Sequence, residues 1–133
     1  MARVEKRNPE TVRAPGGTYS HLALVPASAR LVVVAGQVGV GADGAAGTFD
    51  EQCAQAFANL GAALEAAGAG WGDVIQTMTF LTRREDRQRL REWRTAAFAS
   101  FFPDGDYPPN TLLVVDALAT DDLFIEVQAI AAI

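Results

Sequence analysis

The stretch from residue 107 to residue 133, YPPNTLLVVDALATDDLFIEVQAIAAI, contains the strongest fold signals in this sequence. Two runs rich in β-forming residues, 111–115 and 123–130, flank a short polar segment at 119–122, a pattern that predicts a β-hairpin. In the second run, alternate residues share one apolar face, and Glu126 falls on the opposite face. A carboxylate in mid-strand among apolar neighbours costs free energy unless it is paired or used, which makes Glu126 a candidate functional residue.

Length and composition limit the possible classes of protein. The 133 residues are half hydrophobic, which fits one domain over 1–133. The net charge of −5 disfavours duplex nucleic acid and anionic membranes as partners, because the overall field repels both. A lone Cys53 excludes an internal disulfide, and a lone His21 disfavours a histidine-rich metal site. With no signal peptide or apolar span of about 20 residues, the sequence predicts a cytoplasmic protein.

The remaining helices and strands are predicted from hydrophobic periodicity and from the residues that typically start or end them. Segments 19–25 and 30–38 are predicted to form a hairpin, and the second, apolar on both faces, is predicted to be a central buried strand. Capping-box spacing at 48–51 and again at 82–85 predicts two helix starts. The first helix is predicted to run to Ala67, before Gly68, and the second to Phe102, with a third strand at 73–81 between them. On the second helix, Trp93 and Phe98 are assigned to the core.

The predicted order is therefore β-β-α-β-α-β-β, an α+β fold with two helices on one face of a mixed sheet. Two helices cover only one face, yet several strands are apolar on both. An exposed apolar sheet face marks an interface, so the sequence predicts an oligomer.

The C-terminal motifs resemble those of the Rid (reactive intermediate deaminase, YjgF-type, L-PSP endoribonuclease-like) family. That family has a Pro-x-Arg-Ser/Thr loop and a strand reading Ile-Glu-x-Glu-Ala-Ile-Ala. The counterparts here are PPNT at 108–111 and IEVQAIA at 125–131, and AGQV at 35–38 resembles the family's Ser-Gly-Gln-Ile/Val. The resemblance implies a chorismate-mutase-like homotrimer with a small-molecule cleft between each pair of subunits, and no metal or organic cofactor.

The resemblance also implies roles for individual residues. Glu126 matches the glutamate that positions water for hydrolysis of an imine or enamine, although a structural carboxylate is an equally open interpretation. Asn110 replaces the arginine that holds the substrate carboxylate, unless it is simply a turn residue after two prolines. The loss of that charge makes typical 2-imino acid deaminase activity doubtful, and Arg13, Arg30 and Arg83 are candidates to replace it. The other positions that the resemblance places at the cleft are Tyr19, Gly36, Thr111 and Leu112.

Three functions remain open from the sequence. The first is hydrolytic deamination of a small imine or enamine, and the second is binding or sensing of a small ligand without turnover. The third, RNA binding or cleavage, depends on arginines recurring along the second helix and on the family's endoribonuclease label. Such a ridge is more typical of a solvated face whose arginines pair with Glu85, Asp86 and Glu92.

Overall fold

The chain forms six strands and two helices in a computed structural model that describes residues 3–133. The α+β class and the predicted order of elements are confirmed, with one additional strand near the N-terminus. No helix in the described residues is long and apolar enough to cross a membrane. The elements are β1 (Glu5–Arg7), β2 (Leu22–Leu24), β3 (Leu31–Val38), α1 (Phe49–Ala66), β4 (Val74–Leu81), α2 (Asp86–Phe101), β5 (Asn110–Val114) and β6 (Ile125–Ala132).

Four strands form one mixed sheet in the order β3-β6-β4-β5. Strand β6 runs antiparallel to both of its neighbours, whereas β5 runs parallel to β4. The predicted C-terminal hairpin is therefore wrong, because β4 lies between β5 and β6. A hairpin is inferred from two adjacent runs and a turn, but residues 115–124 are enough chain to carry β6 past one strand.

The N-terminal strands also pair differently from the prediction. Strand β2 pairs antiparallel with β1, a three-residue strand that the sequence did not reveal, and not with β3. Strand β3 lies at one edge of the main sheet and is not a central strand. Leu31 and Val33 in β3 are 57% and 74% exposed, so the apolar character of both faces reflects an uncovered face and not a central position.

One predicted capping box is confirmed and the other is wrong. The Thr48 hydroxyl accepts from the Glu51 N–H, and the Glu51 carboxylate accepts from the Thr48 N–H. Helix α2 instead begins at Asp86 without a side-chain cap, since its N-cap residue is Glu85 and not Thr82, whose hydroxyl lies 3.5 Å from the Leu123 carbonyl oxygen. The predicted end of α1 is confirmed, since Gly68 has a φ of +78° that favours glycine.

The core lies between α1, α2 and one face of the sheet, which we call the inner face. Helix α1 packs against β3 and β6, and Phe57 stands in an aromatic cluster with Trp71, Trp93 and Phe98, which confirms the core assignment of the last two. Neither helix covers the opposite face, which we call the outer face. Its apolar members include Leu31, Val33, Met78, Phe80, Leu113 and Ile130.

Candidate functional site

Some of the predicted site residues line a cavity of about 850 Å³ on the inner side of the sheet. Its walls are the first half of α2, the loop of residues 16–19 and the start of β5. Tyr19, Asn110, Thr111 and Leu112 all contribute to these walls. The bridge between Ser20 and Pro109 holds the loop beside β5, and the Ser20 N–H donates to the Pro108 carbonyl at 3.3 Å. The cavity is within the size range of small-molecule sites.

Asn110 is the first residue of β5 and not a turn residue. It pairs with Thr77 in the parallel ladder, and its Oδ1 accepts from the Thr77 and Thr79 hydroxyls, both at 2.9 Å. Thr79 is fully buried and Thr77 almost so. Because the side-chain oxygen Oδ1 of Asn110 already accepts two hydrogen bonds within the sheet, the group that its side chain can offer to a ligand is the uncharged Nδ2 donor.

Glu126 lies on the outer face, between Val38 of β3 and Phe80 of β4 in the ladder. Its carboxylate packs directly over Gly36: a Cβ on Gly36 would overlap Oε1 and lie 2.8 Å from Cδ. Glu126 is partly exposed, and its carboxylate has no hydrogen bond or ion pair within residues 3–133. This glycine therefore provides the space in which the carboxylate lies.

The two groups of candidate residues lie on opposite faces of the same sheet. Thr79, which bonds Asn110, pairs with Val127 of β6 on the inner face. Glu126 precedes Val127, so its side chain projects to the outer face. One copy of the chain therefore does not bring Glu126 and Asn110 to the same ligand, and the sequence had not separated them.

Sequence reasoning missed the cationic wall of the cavity. Arg84, Arg87, Arg91 and Arg94 line it, together with Glu85. The arginine ridge was visible in the sequence but was assigned to a solvated face, since the loop of residues 16–19 could not be placed opposite it. The three proposed replacements for the family arginine, Arg13, Arg30 and Arg83, do not line this cavity.

Arg94 is the most buried of these arginines, with 6% of its surface exposed. Its Nε donates to the Thr18 hydroxyl at 3.0 Å, and its Nη2 donates to the Thr18 carbonyl at 2.6 Å. Its guanidinium lies 4.5 Å from the centre of the Phe98 ring. Burial lowers the pKa of Arg94 to about 10, so the side chain still carries its charge at neutral pH.

The lone cysteine and the lone histidine lie apart from this chemistry. The Cys53 thiol is fully buried, and burial raises its pKa to about 12. His21 Nε2 lies 2.6 Å from the Arg13 carbonyl oxygen, and its ring meets that of Tyr19 edge-on at 5.7 Å. Within residues 3–133, no three His, Cys, Asp or Glu side chains cluster closely enough to hold a metal ion.

We expect Cys53 to react with a thiol reagent at pH 8 at least about 100-fold more slowly in the folded than in the unfolded protein, because little thiolate is present. Since the thiol ionises more easily when unfolded, this group's contribution to stability is complete below pH 9 and declines as the pH rises towards 12. Absorbance of released thionitrobenzoate measures the rate. Rapid stoichiometric labelling with unchanged circular dichroism would contradict the expectation.

Comparison with known proteins agrees with this architecture. The Endoribonuclease L-PSP family description matches residues 10–133. The human 2-iminobutanoate/2-iminopropanoate deaminase is 32% identical over 108 residues, 77% of each chain. The rat protein of the same name is 30% identical over 98% of this chain and 93% of its own. The crystal structure of YyfB from Yersinia pestis, a Rid family protein of unknown function, superposes with a TM-score of 0.84 at 28% identity, covering 99% of this chain and all of that one.

Proposed function

The chain belongs to the Endoribonuclease L-PSP (Rid) family, and from that premise we propose that it hydrolyses small imines or enamines to a carbonyl compound and ammonia. The observation that supports this most directly is the Glu126 carboxylate, which lies over Gly36 and has no hydrogen-bond or ion-pair partner among residues 3–133. An unpaired carboxylate in a strand among apolar neighbours is costly to retain if it has no use. The names of the human and rat relatives give the reaction class.

In the proposed mechanism, Glu126 accepts a proton from a bound water while the water oxygen attacks the electrophilic imine carbon. The carbon–nitrogen double bond becomes single, and the carboxyl group returns the proton to the nitrogen. Glu126 then takes the proton of the new hydroxyl group and passes it to the nitrogen, so the carbon–nitrogen bond breaks, the hydroxyl oxygen becomes the carbonyl, and ammonia leaves. Water is the only co-reactant. The Asn110 amide and backbone groups near Gly36 orient the substrate.

The site is proposed to form between copies of the chain in a homotrimer. Glu126 and Asn110 lie on opposite faces of one sheet, so one ligand reaches both only if two copies contribute. The outer face supplies a surface for such contact, since Leu31, Val33 and Leu113 are 57%, 74% and 40% exposed. Covering this face would also exclude bulk water around Glu126 and leave the reacting water held in place.

The test is ammonia release from 2-iminopropanoate and 2-iminobutanoate, generated in the assay by a coupled enzyme. We expect Glu126→Gln to lower kcat by about 10²–10⁴-fold, since it keeps the shape of the side chain but removes the base. Glu65→Gln, the same change on an exposed position of α1, is the matched control and should leave kcat unchanged. Equal activity of Glu126→Gln and wild type would refute the proposed role, and full activity of a monomer in sedimentation would refute the shared cleft.

The second candidate is ligand binding without turnover, which the uncharged Asn110 favours. The same assay separates the two functions when Asn110→Arg is included. A wild type that releases no ammonia, together with an active Asn110→Arg variant, would support a binding protein whose scaffold still permits the reaction. Wild-type activity that depends on Glu126 would support the enzyme.

A further inference from the structure

The positive charge of the inner-side cavity is not neutralised by the part of the chain that the structure describes. Arg87, Arg91 and Arg94 donate their hydrogen bonds to carbonyl or hydroxyl oxygens of Arg84, Gly16 and Thr18, not to carboxylates. None of the three lies within 4.0 Å of a carboxylate oxygen among residues 3–133. Among residues 3–133, Glu85 alone contributes a carboxylate to the cavity wall, against four arginines, which leaves a clear excess of positive charge.

The same helix pairs its other arginines in the ordinary way. Arg89, on the side of α2 away from the cavity, lies 2.9 Å from Asp50. Arg83, just before α2, lies 2.7 Å from Asp86 and stacks on the ring of Phe124 at 3.7 Å. Among the six arginines of residues 83–94, those without a carboxylate partner in residues 3–133 are thus the ones that line the cavity, in a protein whose net charge is −5. Composition alone does not account for that segregation.

Arg94 is held in a fixed position within the cavity wall, unlike a flexible surface side chain. A charge that is 94% buried is costly unless other groups satisfy it. Here Thr18 satisfies two of its donors and Phe98 packs against its face. Arg94 thereby fixes the loop of residues 16–19 against α2, and this loop lines the cavity together with Asn110 and Leu112.

We infer that this cavity binds the anionic group of a small molecule, a carboxylate or a phosphate, through Arg87 and Arg91, with Arg94 as the positioning residue beneath them. The inference rests on the proposed function in one respect, because these arginines would supply the charge that Asn110 does not. Arginine suits this task, since its planar fork matches both anions and is weakly hydrated. The excess of positive charge favours ligands with two negative charges over ligands with one.

Two other occupants of the cavity, single-stranded RNA and a second copy of the chain, make different predictions. Single-stranded RNA needs a groove with aromatic stacking surfaces, whereas Tyr19 is the only aromatic residue that the described part of the chain contributes to this wall. Carboxylates of a second copy could also pair with the arginines. In that case the free anion would compete with assembly, and binding would weaken as the protein concentration rises.

Calorimetric titration at constant ionic strength tests the inference, with glutarate, pentanoate and inorganic phosphate as probes. We expect glutarate or phosphate to bind wild type more tightly than pentanoate does. Arg91→Gln should weaken that binding by about 10- to 100-fold, since one hydrogen bond between charged groups is lost. Arg89→Gln removes the same charge from the same helix outside the cavity and should change affinity less than about twofold.

The outcomes distinguish this inference from the proposed reaction. Binding of glutarate but not phosphate would indicate a carboxylate site, and binding of phosphate but not glutarate would indicate a phosphate site. If neither binds, or if Arg91→Gln and Arg89→Gln weaken binding equally, the anion site is refuted, whether or not ammonia release depends on Glu126. If the probes bind and depend on Arg91 but no ammonia is released, the anion site is supported and the reaction fails.

Discussion

Gln52→Leu is expected to destabilise the protein by about 3–5 kcal/mol, because it removes all three hydrogen bonds of a fully buried side chain. The Gln52 side chain is fully buried in α1. Its Nε2 donates to the Gly47 carbonyl at 3.1 Å and to the Asp122 carbonyl at 2.9 Å, and its Oε1 accepts from the Phe124 N–H at 2.8 Å. Leucine has a similar volume but can form none of these bonds.

Urea unfolding followed by circular dichroism, at one fixed protein concentration, measures this loss. Gln55→Leu is the matched control on the same helix, since its side chain makes a single bond to Asn59 near the surface. We expect the control to cost less than about 1 kcal/mol. Equal losses in the two variants would show that the three buried bonds do not carry the stability. The effect extends to the site, because Gln52 holds the backbone at Phe124, two residues before Glu126.

Gly36→Ala is expected to lower ammonia release by about 100-fold while leaving the fold nearly as stable as wild type. The new methyl group would take the space that the Glu126 carboxylate now occupies. The displaced atoms are the end of a partly exposed side chain, which can swing away at little cost to stability. A catalytic group moved by about 1 Å loses roughly 10²-fold in rate, since the water would no longer be held against the substrate.

A double-variant cycle makes this test specific. If Gly36→Ala acts by displacing Glu126, adding it to Glu126→Gln should lower the rate little further, whereas independent effects would multiply. Gly72→Ala is the control, because an added Cβ there meets nothing within 4 Å. A Gly36→Ala protein with wild-type kcat, or a fully multiplicative double variant, would show that the glycine does not position the carboxylate.

Local elements of the fold could be predicted from the sequence, whereas strand pairing could not. The capping box at Thr48 and the glycine after α1 act within a few residues, so their signals are readable locally. The order β3-β6-β4-β5 depends on contacts between distant segments, and no local pattern shows that β4 separates β5 from β6. The capping prediction at Thr82 failed because α2 begins four residues later, at Asp86, and Thr82 lies instead beside the distant Leu123 carbonyl.

The candidate site was predictable in its members more than in its geometry. Family resemblance pointed to Glu126 and Asn110, but their placement on opposite faces needed the register of β6 with β4 and of β5 with β4. The arginine wall was missed because its partner, Thr18, is 76 residues from Arg94 in the chain. Spacing along one helix shows that arginines share a side, but not what lies opposite that side.

The exposed edge of strand β5 affects how newly synthesised chains assemble. It ends the sheet with one row of backbone donors and acceptors unpaired in a separate copy, and Leu112, Leu113 and Val114 are 39%, 40% and 45% exposed. Such an edge strand is a template for the wrong neighbour, and it aggregates unless another surface covers it. In newly synthesised chains, assembly with other copies therefore competes with aggregation. The rate of assembly, as much as the stability of each copy, would determine the yield of folded protein.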